Sequence, residues 1–249
     1  MSSVIRPHGI SAFVRCKNEE EYIVASLMSV ARIFDEILVI LNQSTDRTHE
    51  LVRELAARQP RIRLIAYDNK CAAVGPGYLE NVRANPDCSL ARFYNWCIEQ
   101  TTFSHVCKWD GDMIALPTIE QVRDLINSND VVAFDGYDVL GESTTNFEPR
   151  IFRFDPEHAK YVDWDLYEIL THEYTSVTRV EEKCYLHMKL LKKDWIHRPF
   201  INLNTLATRS VPLQSAGKAV PGRAGFVMRA SAVFARLLRG LADKLTSRR

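Results

Sequence analysis

The chain has 249 residues, 46% of them hydrophobic and 25% charged, with a formal net charge of +1. That is enough apolar material for one substantial α/β core and too much for a disordered chain. A near-neutral balance supplies no overall field to gather DNA or RNA, which removes nucleic acid as the default partner.

In chain order, Ile10 to Arg15 (ISAFVR) reads as a short strand. Asn18 then offers a helix N-cap, with Glu21 three positions on to close a capping box. Ile23, Leu27, Val30, Ala31 and Phe34 recur at helical spacing and predict the buried stripe of a first helix. The near-continuous apolar run Glu36 to Leu41 (EILVIL) suits a strand covered on both faces, so this βαβ order predicts parallel pairing. Asn42 to Thr48 (NQSTDRT) turns into a second helix, where Ser44, Thr45 or Asp46 can satisfy free amides at its start. Leu51, Val52, Leu55 and Ala56 carry that helix, and Ile62 to Tyr67 supplies a third strand. After a polar excursion containing Gly75, Pro76 and Gly77, Leu90 to Thr101 reads as a helix leading to a strand that ends at Asp110.

The second half is less regular. Thr118 with Gln121 predicts a capped short helix ending near Asn127, and Asp130 to Phe134 a strand. Arg150 to Phe154 (RIFRF) alternates basic and apolar residues as an exposed strand would. Asp163 to Glu173 (DWDLYEILTHE) is acidic yet rich in large apolar side chains, and needs a partly buried setting. Cys184 to Met188 (CYLHM) reads as a strand whose polar exception is His187. Residues 217–224 form the expected linker between a domain of residues 1–216 and a basic amphipathic C-terminal helix over 225–249. That helix suits an anionic membrane surface and equally suits docking on its own domain or on a second subunit of a homo-oligomer.

The six cysteines lack CxxC spacing and several lie in apolar runs, so they read as reduced core residues rather than zinc ligands or disulfides. The opening MSSVIRPHG has no apolar signal core and no run is long enough to span a bilayer. The expected location is therefore the reducing cytoplasm, with the C-terminal helix allowing peripheral contact with the inner face of the membrane.

The segment His105 to Leu116 (HVCKWDGDMIAL) delivers two carboxylates, Asp110 and Asp112, where an apolar strand ends. In extended backbone, residues i and i+2 share a face, so both acids converge on one cation. Like charges about 4 Å apart repel by roughly 4 kcal/mol at an effective dielectric near 20, and a hard divalent ion such as Mg²⁺ or Mn²⁺ removes that conflict. The structural alternative is an acidic turn, bent at Gly111, with both acids solvated. In open α/β sheets ligands bind beyond the carboxyl ends of the strands, and Arg15 to Glu19, Asn42 to Asp46 and Asp110 to Asp112 all fall on that edge.

The order of these signals resembles the family 2 type of nucleotide-sugar glycosyltransferase, which has the A-type fold, a single Rossmann-like and mostly parallel sheet with flanking helices. FVRCKNEEEYI (13–23), DEILVILNQSTDRT (35–48) and LARFYNW followed by KWDGDM (90–113) carry the resemblance. EPRIFRF (148–154), DLYEIL (165–170) and YLHMK (185–189) add a weaker fourth match. The resemblance implies that Arg15, Asn18 and Glu19 border the nucleotide, that Asn42 to Asp46 form the facing wall, and that Arg92 pairs with a phosphate. It makes Asp112 a direct ligand of Mn²⁺ or Mg²⁺, lets Asp110 contact the ion or the donor ribose, and brings His187 to the metal or diphosphate. Relatives commonly carry an acid where Leu41 or Asn42 stands, and an amide offers a different donor set to the base.

The implied reaction is inverting transfer of a sugar from a nucleoside diphosphate to a hydroxyl of a glycan or lipid-linked acceptor in bacterial-type surface polysaccharide assembly. One carboxylate then acts as general base. Glu168 is the first candidate and Asp165 the second, although Tyr167 replaces the histidine that relatives pair with this glutamate. Lys189, Lys192 and Lys193 can attract an acceptor phosphate or be a solvated surface. Two other readings remain open at the level of sequence. One is a sugar nucleotidyltransferase, which normally has a glycine-rich loop that RCKNEEEY lacks, and the other is a degenerate nucleotide-binding scaffold.

Overall fold

The structure is a computed structural model that describes residues 5–139 and 148–192. The apolar runs and helical stripes alternate as β1 (Ile10–Cys16), α1 (Ile23–Val30), β2 (Glu36–Leu41), α2 (Thr48–Ala56) and β3 (Ile62–Ala66). Next come α3 (Tyr78–Ala84), α4 (Leu90–Glu99), β4 (His105–Asp110), β5 (Met113–Ala115), α5 (Val122–Leu125), β6 (Val131–Phe134) and β7 (Gly136–Asp138). The described chain closes with β8 (Glu148–Arg153), β9 (Ala159–Asp163), β10 (Glu168–His172), β11 (Val177–Arg179) and β12 (Tyr185–His187).

A seven-stranded sheet runs in the order β11-β6-β8-β4-β1-β2-β3, with β8 alone antiparallel to its neighbours. This is the expected α/β class with a mostly parallel sheet. Both faces are covered, which is why β2 tolerates an unbroken apolar sequence, all six residues being buried. On one face Val14, Val39, Cys107 and Trp109 pack with Ile23, Leu27 and Val52 of α1 and α2. On the other, Phe13, Leu38, Ile40 and Val106 pack with Phe93, Tyr94 and Cys97 of α4 and with Tyr161 of β9. A three-stranded sheet, β5-β12-β7, stands beyond the end of β4, and β9 and β10 form a separate antiparallel pair. All six cysteines are free thiols, five of them buried, in keeping with core roles.

Several local expectations are corrected. Asn18 is no N-cap: it adopts a left-handed φ of 57°, and α1 starts only at Ile23 after a turn through Glu19. Thr118 does not cap a helix, because its hydroxyl donates to the carbonyl of Lys183. The strand containing RIFRF is not exposed. It fills the slot between β6 and β4, where Arg150, Ile151 and Phe152 are all buried, so its alternation reflects an ion-paired arginine rather than a wet face. Among the described residues, no helix is long and apolar enough to cross a membrane. The expected linker at 217–224, the helix over 225–249 and Lys193 lie outside the described residues.

Candidate active site

The acidic corner is held from three sides. β4 pairs with β1 so that Asp110 stands opposite Arg15, at the carboxyl end of both strands. On the opposite face α1 grips the corner: the indole of buried Trp109 donates to Ser26 Oγ at 3.0 Å, and Ser26 Oγ donates to the carbonyl of Asp110 at 3.1 Å. Gly111 lets the β1–α1 loop close on this point, since a Cβ there would stand 3.1 Å from Glu19 Cγ and 3.2 Å from Ile23 Cδ1. The third side is the small sheet. Register sets His187 of β12 opposite Met113 of β5 and Asp138 of β7, and the amide of Met188 donates to the carbonyl of Asp112 at 2.8 Å.

These contacts place His187 between two acids, its Nδ1 2.7 Å from Asp138 Oδ1 and its Nε2 3.4 Å from Asp112 Oδ1. The second oxygen of Asp112 lies 2.6 Å from Lys192 Nζ, which is also 2.6 Å from Glu19 Oε2. Asp110 Oδ2 lies 3.5 Å from the buried Arg150 guanidinium, whose other partners are Glu148 and the Tyr185 hydroxyl.

Burial should raise the pKa of both acids of the corner, and in both cases neighbouring cations reverse the sign. Lys108 and Arg150 hold Asp110 below the usual carboxylate range, and His187 with Lys192 does the same for Asp112. Burial would depress His187, but its bonds to Asp112 and Asp138 outweigh that and lift it to about 9. Glu19 goes the other way, raised to about 7 chiefly by burial and then by repulsion from Asp112, with Lys192 opposing. The corner is thus a dense alternation of acids and bases in which Asp112 is ionised at neutral pH.

The residues expected to border a nucleotide fall into four groups. Arg15 and Glu19 reach the corner: Arg15 is held above its ordinary range chiefly by Tyr94, against burial, with Asp110 and Glu168 contributing. Asn18 and Asp46 knit the two loops together. Asn18 Oδ1 accepts from the amide of Thr45 at 2.8 Å, and Asp46 accepts from the amides of Glu20 and Thr48, each at 3.0 Å. Asn42 is 3% exposed and spends its amide on the carbonyls of Tyr67 and Asn69, so its donors brace the loop after β3. Arg92 pairs with Asp87 and lines a groove of about 580 Å³ between α4 and β9, whose lining includes neither Asp110 nor Asp112.

The two candidate bases also part company. Glu168 is buried at the start of β10, with Oε1 3.1 Å from Lys108 Nζ. Its Oε2 is buried with no hydrogen-bond partner among the described residues. Asp165 is exposed at the β9–β10 connection, where its carbonyl accepts from the amide of Leu79. Sequence reasoning missed Lys108, Asp138, Arg150 and the link from Lys192 to the corner. A lysine inside the otherwise apolar HVCKWD, and an arginine inside EPRIFRF, were available signals of buried ion pairs.

Among the described residues no group of three or more His, Cys, Asp or Glu side chains forms a ready-made metal cage. The corner nevertheless fits a hard divalent ion. Such ions are usually held by one or two protein ligands and completed by phosphate oxygens and water. Asp112 offers an oxygen, and His187, whose Nε2 lies 3.4 Å from it, would offer a nitrogen on giving up its Nε2 proton to an incoming ion, with Asp138 orienting the ring as a second partner does for a ligating histidine.

Residues 11–74 match the model of glycosyl transferase family 2. By sequence, no curated protein matches the chain. Among solved structures, S. aureus TarS (residues 1–349) shares 17% identity with a TM-score of 0.49 over 72% of this chain, which spans 60% of that one. A putative glucose-1-phosphate thymidylyltransferase from Bacillus anthracis shares 10% identity with a TM-score of 0.41 over 83% of this chain and 98% of its own. GalNAc-T7, solved with UDP, GalNAc and Mn²⁺, shares 11% identity with a TM-score of 0.39 over 74% of this chain and 31% of its own. The segment similar to glycosyl transferase family 2 runs from β1 through β3 into the loop that follows, the side of the sheet that meets Asp110.

Proposed function

We propose that the chain is an inverting, divalent-cation-dependent glycosyltransferase that moves a sugar from a nucleoside diphosphate to a hydroxyl of a glycan or lipid-linked acceptor in bacterial-type surface polysaccharide assembly. The observation that carries the reading is the convergence of Asp112 and His187, backed by Asp138, at the carboxyl edge of β4. Asp112 and His187 would hold Mn²⁺ or Mg²⁺, with Asp110 beside them for the ion or the donor ribose. When bound, the ion neutralises the diphosphate as it departs. Arg15 and Lys108 add fixed positive charge on the same edge, and Asn18, Asn42 and Asp46 support the loops that would flank the nucleotide.

Glu168 takes the acceptor proton. Lys108 anchors Oε1 and fixes the carboxylate, while the buried Oε2 has its hydrogen-bonding capacity unspent among the described residues. Asp165, at the exposed connection, is the reserve base. The basic stripe in the sequence of residues 225–249 suits an anionic lipid surface carrying such an acceptor.

A panel of nucleotide sugars, screened for Mn²⁺-dependent hydrolysis and then for transfer with the anomeric configuration read by NMR, tests this function. Asp112→Asn should lose Mn²⁺-dependent donor binding, whereas Glu168→Gln should keep donor binding and lose transfer by about 10²-fold or more. Full transfer by Glu168→Gln assigns the base elsewhere, and retention of configuration overturns the single-displacement mechanism.

A further inference from the structure

Lys192 stands where two elements of the corner meet. Its ammonium is 2.6 Å from Asp112 Oδ2 and 2.6 Å from Glu19 Oε2, and its side chain is 15% exposed. Both carboxylates are nearly buried, with side chains 7% and 13% exposed, so without a shared cation they would face each other across a gap that water screens poorly. One ammonium here supplies the positive charge that a divalent ion held by Asp112 would supply.

The attachment of Lys192 suits an occupant that can leave. It follows a single 3-10 turn, Lys189–Leu191, and its own backbone is extended (φ −65°, ψ 143°). Among the ties of that turn are the amide of Leu191 on the carbonyl of Met188 at 2.9 Å and the Tyr22 hydroxyl on the carbonyl of Leu191 at 3.4 Å. The strand before it is anchored independently, through Met188 to Asp112 and through the register of β12 with β5 and β7. A flexible four-carbon stem can therefore withdraw its ammonium while His187 stays in place.

We propose that Lys192 is a tethered internal cation that holds Glu19 and Asp112 in the ion-free protein and must release them before a divalent ion can bind. This rests on the metal-dependent reading of the corner. An ion that binds only molecules whose corner is free has its apparent affinity reduced by the fraction that is free. Lys192 thereby sets the ion concentration at which the site fills, and Glu19 joins the ion's oxygen shell once released.

Two measurements on the full chain test this without any turnover. Mn²⁺ titration, followed by loss of the free-ion EPR signal, should show at least tenfold tighter binding by Lys192→Met than by the unaltered protein. In the unaltered protein, saturating Mn²⁺ should raise the rate of Lys192 acetylation at least fivefold, read by peptide mass spectrometry, because the withdrawn ammonium becomes exposed. This second measurement decides the matter if Lys192→Met does not fold. Equal or weaker Mn²⁺ binding by Lys192→Met, or unchanged labelling on Mn²⁺ binding, overturns the proposal while leaving the metal-dependent function standing. Absence of Mn²⁺ binding by both proteins, even with a nucleoside diphosphate present, overturns the two together.

Discussion

His105 begins the strand that ends in the acidic corner, and at 5% exposure it has almost no water to receive a proton charge. Burial is the largest influence on it and takes its pKa down to about 4, against an ordinary value of 6.5. The unfolded chain accepts a proton near pH 6.5, whereas the folded chain resists until about pH 4. The stability contributed by the neutral ring is therefore complete above about pH 6.5 and is lost as the pH falls through that window, by up to about 3 kcal/mol. Urea unfolding at pH 7.5 and pH 4.5 should show the loss, and His105→Gln should show less of it than the unaltered chain. Parallel losses in the two proteins would mean that other groups control acid unfolding. Residues of this kind were poorly legible in the sequence: His105, Lys108 and Arg150 each sit in an apolar run, and only the partners supplied by the fold separate a buried ion pair from a solvated charge. Asp110 and Asp112 were legible because both the acids and the strand that presents them lie in one short stretch.

The long elements announced themselves through periodicity: α1, α2 and α4 by apolar stripes, β1, β2 and β4 by apolar runs ended by polar turns. The three-residue strands β5, β7 and β11 did not, since three residues cannot display a repeat, and although CYLHM announced β12, its pairing depends on partners far along the chain. Yet β7 and β12 bring Asp138 and His187 to Asp112. Their contact turns on Gly136, where an added Cβ would lie 2.4 Å from Tyr185 Cδ2 and 2.4 Å from the Tyr185 carbonyl oxygen. One of those atoms is backbone, so a side-chain rotation cannot relieve the clash, and Gly136→Ala must push β7 and β12 apart. We expect a destabilisation of about 3 kcal/mol, at the upper end for overpacking, together with weaker Mn²⁺ binding as His187 leaves its place. Unfolding temperature and Mn²⁺ titration read the two effects separately. A fully stable Gly136→Ala protein with unaltered Mn²⁺ binding would show that this small sheet does not position the histidine.

At the scale of the whole molecule, the corner draws Glu19 from the β1–α1 loop, Asp112 from the turn after β4, Asp138 from β7, His187 from β12 and Lys192 from just after the last described turn. No local window of sequence holds more than two of them, which is why the acidic pair and, by resemblance, His187 could be named in advance, while Asp138 and the link from Lys192 to Glu19 and Asp112 could not. The same dispersal makes the site a reporter of the entire fold, because unfolding either sheet scatters the ligands. A ligand bound only by the folded state stabilises it by RT ln(1 + [L]/Kd), about 2.7 kcal/mol at a hundredfold excess over Kd. At roughly 2 to 4 °C per kcal/mol for a fold of this size, saturating Mn²⁺ with the cognate nucleoside diphosphate should raise the unfolding temperature by roughly 5 to 10 °C. Trp109 is fully buried between α1 and the main sheet, so its fluorescence should report the same shift as far-UV circular dichroism. Asp112→Asn should abolish most of the shift in both signals. An equal shift in that variant, or one that needs no Mn²⁺, would place the nucleotide away from the acidic corner and detach the ion from donor binding.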